Sequence, residues 1–410
     1  MKIITLFLFF LAALAFAKAP LRNHNAQDSR PDNYIVVLKK GLDASRVAEH
    51  LSYMRAASSM LPGGHRGLRR TYSINAFNAY HVECDAGMLE EIRNNDIDGV
   101  AKILAPVSNK AAEDESLLHR DAPDTENVPW GLGRVSHRKP GASLYLQDEL
   151  PRQTYAYIVD TGIRITHQEF GGRARWGATF LDEGSEEDLD FDEEGHGTHV
   201  AAIVAGNTVG VDNHTIPIAV KVMSGEAGSW STIVKGIEWA VTHATDTGTI
   251  SRSVINLSLG GSKIDAADDA IKSTIQAGMT VVVAAGNEDH NACDSSPAGV
   301  TEAITVGNID RHDNRLAGSS WGECLDLFAP GVDIYSAFST NDTSYETLTG
   351  TSMSSPHVAG LVTYLMSRES NLTTPAQVQD RIKDLATKDK VHDPLWSPNL
   401  IAFNGNAGEL

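Results

Sequence analysis

Between residues 155 and 284 the chain alternates short β-branched runs with longer helix-like stretches, and this limits the fold more than any other feature. Residues 155–159, 218–222, 254–258 and 280–284 read as buried strands, with helices predicted over 231–245 and 266–277. Strands that are apolar on both faces need a helix layer on each side. The expected fold is therefore α/β, with three layers and a mostly parallel sheet. In such sheets ligands collect beyond the carboxyl ends of the strands, so the residues just after each run are where chemistry is expected.

The flanking sequence divides the rest. Lys2, the apolar run 3–16 and Ala15-Phe16-Ala17 read as a cleaved secretory signal over 1–17, too short to span a bilayer comfortably. A secreted, extracellular protein with no membrane association is expected. Residues 34–106 suit a βαββαβ order, of which the sequence places three strands, at 34–38, 76–82 and 100–104, and both helices, at 44–57 and 88–94. This predicts a small α+β (ferredoxin-like) unit. Residues 107–128 are polar and read as a linker. Residues 1–121 carry 15 basic and 14 acidic residues, whereas 122–410 carry 19 and 39. An acidic body argues against nucleic acid as a partner. Nine of the thirteen residues 182–194 are acidic, which suggests a solvated loop or, less simply, a cation site. Of Cys84, Cys293 and Cys324, the last two share one half of the chain. In an oxidising compartment they would bridge; otherwise they are unpaired thiols.

The chemistry centres on Gly350-Thr351-Ser352-Met353-Ser354-Ser355-Pro356-His357-Val358-Ala359-Gly360. Ser352 is expected at a helix N-terminus, with Pro356 in the first turn, where a missing N–H costs nothing. The positive end of the helix favours negative charge developing there. Asp160 ends a buried strand. His196 lies in Gly195-His196-Gly197-Thr198-His199 ahead of an apolar helix, and Asn287 follows strand 280–284. A base, an orienting acid and an amide donor are what a serine nucleophile needs. The spacing of His196 and His199 does not suit a zinc pair.

Asp, then His, then Ser is the chain order of the subtilisin triad. Asp160-Thr161-Gly162, His196 to Ala201 and Gly350 to Gly360 resemble the three signatures of the subtilisin-like serine proteases, within them the proteinase K-like group. The resemblance extends from Pro129-Trp130-Gly131-Leu132 to Pro398-Asn399-Leu400. It implies a catalytic domain over 122–410. It also implies a propeptide over 18–121, with its folded part at 34–106 and its linker at 107–121, that inhibits its own enzyme. The implied activity is that of a monomeric, broadly specific endopeptidase acting on proteins and peptides, made as a zymogen and needing no catalytic cofactor. Asp160, His196 and Ser352 would form the triad, with Asn287 in the oxyanion hole.

The resemblance also places a substrate cleft. Ser258, Leu259 and Gly260 would pair with the substrate, Ala284 and Gly286 would wall the first pocket, and Glu226, Ala227 and Gly228 would form the opposing strand. Asp326, with the carbonyls of Thr301 and Ala303, matches a structural calcium site. Cys293 and Cys324 match a disulfide of some bacterial members. Departures from the pattern are Glu226 where glycine is usual, Ser354 for alanine and Val200 for a cysteine. Asn213, Asn341 and Asn371 begin glycosylation sequons; the sequon at Asn256 falls on a buried strand.

Overall fold

The computed structural model describes residues 18–22, 29–58, 67–94, 97–104, 107–108, 128–182, 190–225 and 227–406. The expected leader 1–17, residues 109–127, Glu226 and the acidic stretch 183–189 lie outside them.

The N-terminal unit is a five-stranded sheet in the order Leu21–Arg22, Ile97–Leu104, Ser29–Leu38, Phe77–Glu83 and Gly67–Ile74. Its two helices are α1 (Ala44–Ser58) and α2 (Ala86–Arg93), the second capped by Asp85 accepting from the Met88 N–H. One face of the sheet packs on α1 and α2 through Val36, Met54, Tyr80, Val82 and Ile92. The other face joins the core of the larger unit through Ile35, Tyr72, Ile74 and Phe77.

The larger unit is built on a nine-stranded sheet. Its order is Thr387–Lys388, Leu400–Ile401, Leu327–Pro330, Ile304–Ile309, Thr280–Ala284, Ser253–Leu257, Tyr155–Asp160, Ile216–Lys221 and Arg175–Thr179. All neighbours are parallel except the first pair. Helices α3 (Trp130–Ser136), α4 (His196–Ala205), α7 (Thr351–Arg368) and α8 (Pro375–Leu385) pack on one face. Helices α5 (Trp230–Asp246) and α6 (Asp265–Gln276) pack on the other, so the three-layer α/β architecture is present. Local chemistry sets the helix starts. Ser229 with Thr232 and Thr374 with Gln377 form capping boxes, and Pro375 occupies the first position of α8. Cys293 and Cys324 are bridged, with Cα atoms 5.3 Å apart, and Cys84 is a buried free thiol.

Pro356 corrects an expectation. It is the sixth residue of α7, not a first-turn residue, so its missing N–H would have served the Ser352 carbonyl. The Ser258 hydroxyl donates to that carbonyl instead, at 2.8 Å. The helix therefore continues through the proline without a buried orphan acceptor.

Candidate active site

Asp160 ends an interior strand of the sheet and is fully buried. A buried carboxylate needs donors. Its Oδ1 accepts from the Thr161 N–H at 2.7 Å and from Nδ1–H of His196 at 2.8 Å. The second contact fixes the imidazole tautomer and leaves Nε2 as the basic nitrogen. Nε2 is buried and makes no hydrogen bond among the described residues.

His196 is the first residue of α4, and glycines bring it to the acid. Gly195 caps the helix at φ 105°, a conformation that favours glycine. A β-carbon on Gly197 would come 2.2 Å from the Gly162 carbonyl oxygen, so only glycine lets α4 approach the Asp160 loop this closely. Burial pushes the His196 pKa down. The nearby charges of Asp160, Glu194 and Asp192 outweigh it and raise the pKa above the usual histidine value. His199 differs: its Nε2 meets the carbonyls of Ile334 and Glu346, and burial lowers its pKa to about 3. It is a neutral core residue, as its place one turn beyond His196 suggests.

Ser352 is the second residue of α7 and 3% exposed. Its hydroxyl donates to the Ser258 carbonyl at 3.2 Å. Hydrogen bonds to a catalytic base are often unmade without substrate. Asn287 is oriented by Thr351, whose N–H (2.9 Å) and hydroxyl (3.0 Å) both donate to Oδ1. With its oxygen so engaged, the carboxamide has Nδ2 as its donor end. The Ser352 and Asn287 expectations therefore meet at the start of α7.

The acidic run is only partly a solvated loop. Asp192 is fully buried and accepts from the Thr161 hydroxyl, the Gly195 N–H and both the N–H and hydroxyl of Thr198. It ties the Asp160 loop to the start of α4. Glu194 accepts from the His196 N–H at 2.7 Å, and its pKa is raised, chiefly by burial. Lys221, fully buried at the end of its strand, donates to the Thr161 carbonyl at 2.7 Å and pairs with Glu193. Sequence reasoning missed these supports. A lone lysine in the apolar run 218–222 was the available signal.

The cleft residues divide. Strand Ala227–Gly228 pairs with Met223–Ser224 on one side and with Val107–Ser108, which follows the N-terminal unit, on the other. Glu226 lies outside the described residues. Leu259 and Ala284 are buried, Gly260 is partly exposed, and the Gly286 N–H donates to the Thr351 hydroxyl. The Ser258 side chain is directed at α7, where it contacts the Ser352 carbonyl and the Ser355 hydroxyl. It braces the first turns of α7 beside Ser352. The N-terminal unit packs on both α5 and α6, with Ala267 and Ile271 of α6 in the shared core and Arg22 paired with Asp265. Arg70 donates to the Ser231 hydroxyl, the Leu181 carbonyl and Asp182, and the Ser73 N–H donates to Glu238.

The proposed calcium ligands also converge, but on side chains. Asp326 Oδ1 and the carbonyls of Thr301 and Ala303 each lie 3.1 Å from Nε2 of Gln379. Lys383 Nζ is 2.5 Å from the same carboxylate oxygen. Oxygens already facing an amide N–H group and an ammonium do not fit a calcium ion, which needs six to eight free oxygen ligands.

Comparison with known proteins identifies a family. Residues 154–397 match the model of the subtilase family, Peptidase_S8. The chain is 41% identical over 392 residues to subtilisin-like protease 2 of Pseudogymnoascus destructans, covering 95% of this chain and 93% of that one. It is 38% identical over 403 residues to alkaline protease 1 of Aspergillus oryzae, with 95% of each covered. Among solved structures, a cold-adapted subtilisin-like serine proteinase superposes with a TM-score of 0.63 at 36% identity. That match covers 68% of this chain and 98% of the other.

Proposed function

The chain belongs to the subtilase family and is a serine endopeptidase, and from that premise we propose that Asp160, His196, Ser352 and Asn287 carry its chemistry. The observation that carries this reading is the buried contact of His196 Nδ1 with Asp160, which leaves Nε2 without a hydrogen-bond partner among the described residues. In the proposed reaction, Ser352 Oγ attacks the peptide carbonyl and gives its proton to Nε2. The imidazolium then protonates the leaving amine, and Asp160 stabilises the charged ring. Asn287 Nδ2 and the Ser352 N–H receive the oxyanion. Water repeats the sequence on the acyl-enzyme. Every step is proton transfer or acyl transfer, so the reaction calls for no cofactor.

The enzyme is made as a secreted zymogen and acts on a broad range of protein and peptide substrates. The apolar leader supports secretion, and no described helix is long and apolar enough to cross a membrane. Two observations support inhibition by the N-terminal unit: its sheet packs on α5 and α6, and Val107–Ser108 adds an antiparallel strand to Ala227–Gly228. A substrate that pairs its backbone with that strand would compete for the same edge. The activating cut is expected beyond Ser108, within the linker. Asn341 and Asn371 are exposed enough to carry glycans.

N-terminal sequencing of wild type and Ser352→Ala after secretion tests the reading. Only the variant should keep residues 34–106 attached. Equal processing of both, with neither labelled by a serine-directed phosphonate, would defeat it.

A further inference from the structure

At the junction of α8 with the loops before Ile304 and Leu327, side chains of this chain face the oxygens that resemble a calcium site. Asp326 is 5% exposed, and its two oxygens are used separately. Oδ2 accepts from the Thr305 N–H at 2.8 Å, which ties it to the central sheet. Oδ1 faces α8, where it meets Gln379 Nε2 and Lys383 Nζ. These two residues are four apart, so they present to one side of the helix. The helix itself is anchored by its Thr374–Gln377 capping box and by Pro375.

The Gln379 amide group does more than contact Asp326. It also approaches the Thr301 and Ala303 carbonyls, each at 3.1 Å, so one nitrogen is equidistant from all three oxygens and shares its two hydrogens among them. Those oxygens come from two loops some twenty residues apart in sequence, and gathering them is the structural work a bound cation would do. Gln379 supplies the geometry and Lys383 supplies the charge. Burial pushes the Asp326 carboxyl up, and the ammonium acts against that shift. A divalent ion approaching Oδ1 would have to displace the amide and sit beside an ammonium of like charge.

We infer that Gln379 and Lys383 form a built-in replacement for a structural calcium ion, and that the Asp326 site does not take calcium. The two side chains pin the C-terminal helix to the loops that enter the central sheet.

Thermal unfolding of the full chain tests this. Ser352→Ala serves as the parent so that autolysis does not confuse the reading, and the calcium response is the difference in Tm between calcium and chelator. Adding Asp326→Asn should leave that response unchanged, whatever its size in the parent. Loss of the response in Asp326→Asn would overturn the inference. If Asp326→Asn does not fold, Gln379→Ala with Lys383→Met gives a second reading. That double variant should melt lower in chelator and gain a calcium-dependent rise of a few degrees that the parent lacks. A double variant with no greater response than the parent would equally overturn the replacement role.

Discussion

Replacing Asn287 with alanine removes two separable things. The first is the Nδ2 donor proposed for the oxyanion. One such donor is worth roughly 10²–10³ in turnover, or about 2.7–4 kcal/mol, a range known from subtilisin itself and not worked out from this chain. The second is Oδ1, which holds the first turn of α7 through the Thr351 N–H and hydroxyl. Thr351 is fully buried, so losing the acceptor costs about 1–3 kcal/mol of stability. Steady-state kinetics on a chromogenic peptide should therefore show kcat falling by the full donor range with KM little changed, while Tm falls modestly. Thr351→Val separates the effects. It deletes one of the two bonds orienting the carboxamide, worth about 1 kcal/mol, so turnover should fall by about fivefold at most. If Asn287→Ala keeps kcat within about tenfold of wild type while still lowering Tm, Asn287 is a tether for α7 and the oxyanion assignment is wrong.

Other outcomes follow from the same contacts. A protonated His196 cannot accept the serine proton. Burial lowers its pKa but Asp160, Glu194 and Asp192 together raise it, so kcat/KM should lose activity on the alkaline side of the usual histidine value near ~6.5 as pH falls. Glu194→Gln keeps an acceptor for the His196 N–H but removes a charge, and a pH–rate profile should show that acid limb moving to lower pH. Exchanging Cys293 and Cys324 for serine opens a loop with a sequence separation of 31, which should cost about 3–4 kcal/mol in a denaturant melt. Arg134 is 1% exposed and bidentate to Asp313 at 2.6 and 3.1 Å, so Arg134→Met should cost roughly 3–5 kcal/mol by stranding a buried carboxylate.

The α/β layering and the candidate residues Asp160, His196 and Ser352 could be read from the chain because both have local signatures. Buried parallel strands are β-branched runs, and Asp160 ends a strand, His196 begins a helix and Asn287 follows a strand by a short turn. The supports of the site were less legible. Asp192 and Glu194 lie in a run whose composition suggests solvent, yet one is fully buried and the other accepts from the first N–H of α4. Lys221 looks like a strand residue until its ammonium is seen on the Thr161 carbonyl. Pro356 looks harmless in a first turn, and only the Ser258 hydroxyl explains how α7 tolerates it one turn later.

The sequence alone determined which side chains could do chemistry, because acidity, nucleophilicity and hydrogen-bonding capacity belong to residue types, and periodicity placed them on strands and helices. Tertiary structure decided their partners. Asp326, Thr301 and Ala303 had the oxygens for calcium, but Gln379 and Lys383 answer them from a helix more than fifty residues further along. No local pattern encodes that meeting. It depends on how α8 packs against the sheet, and packing is a property of the whole folded chain.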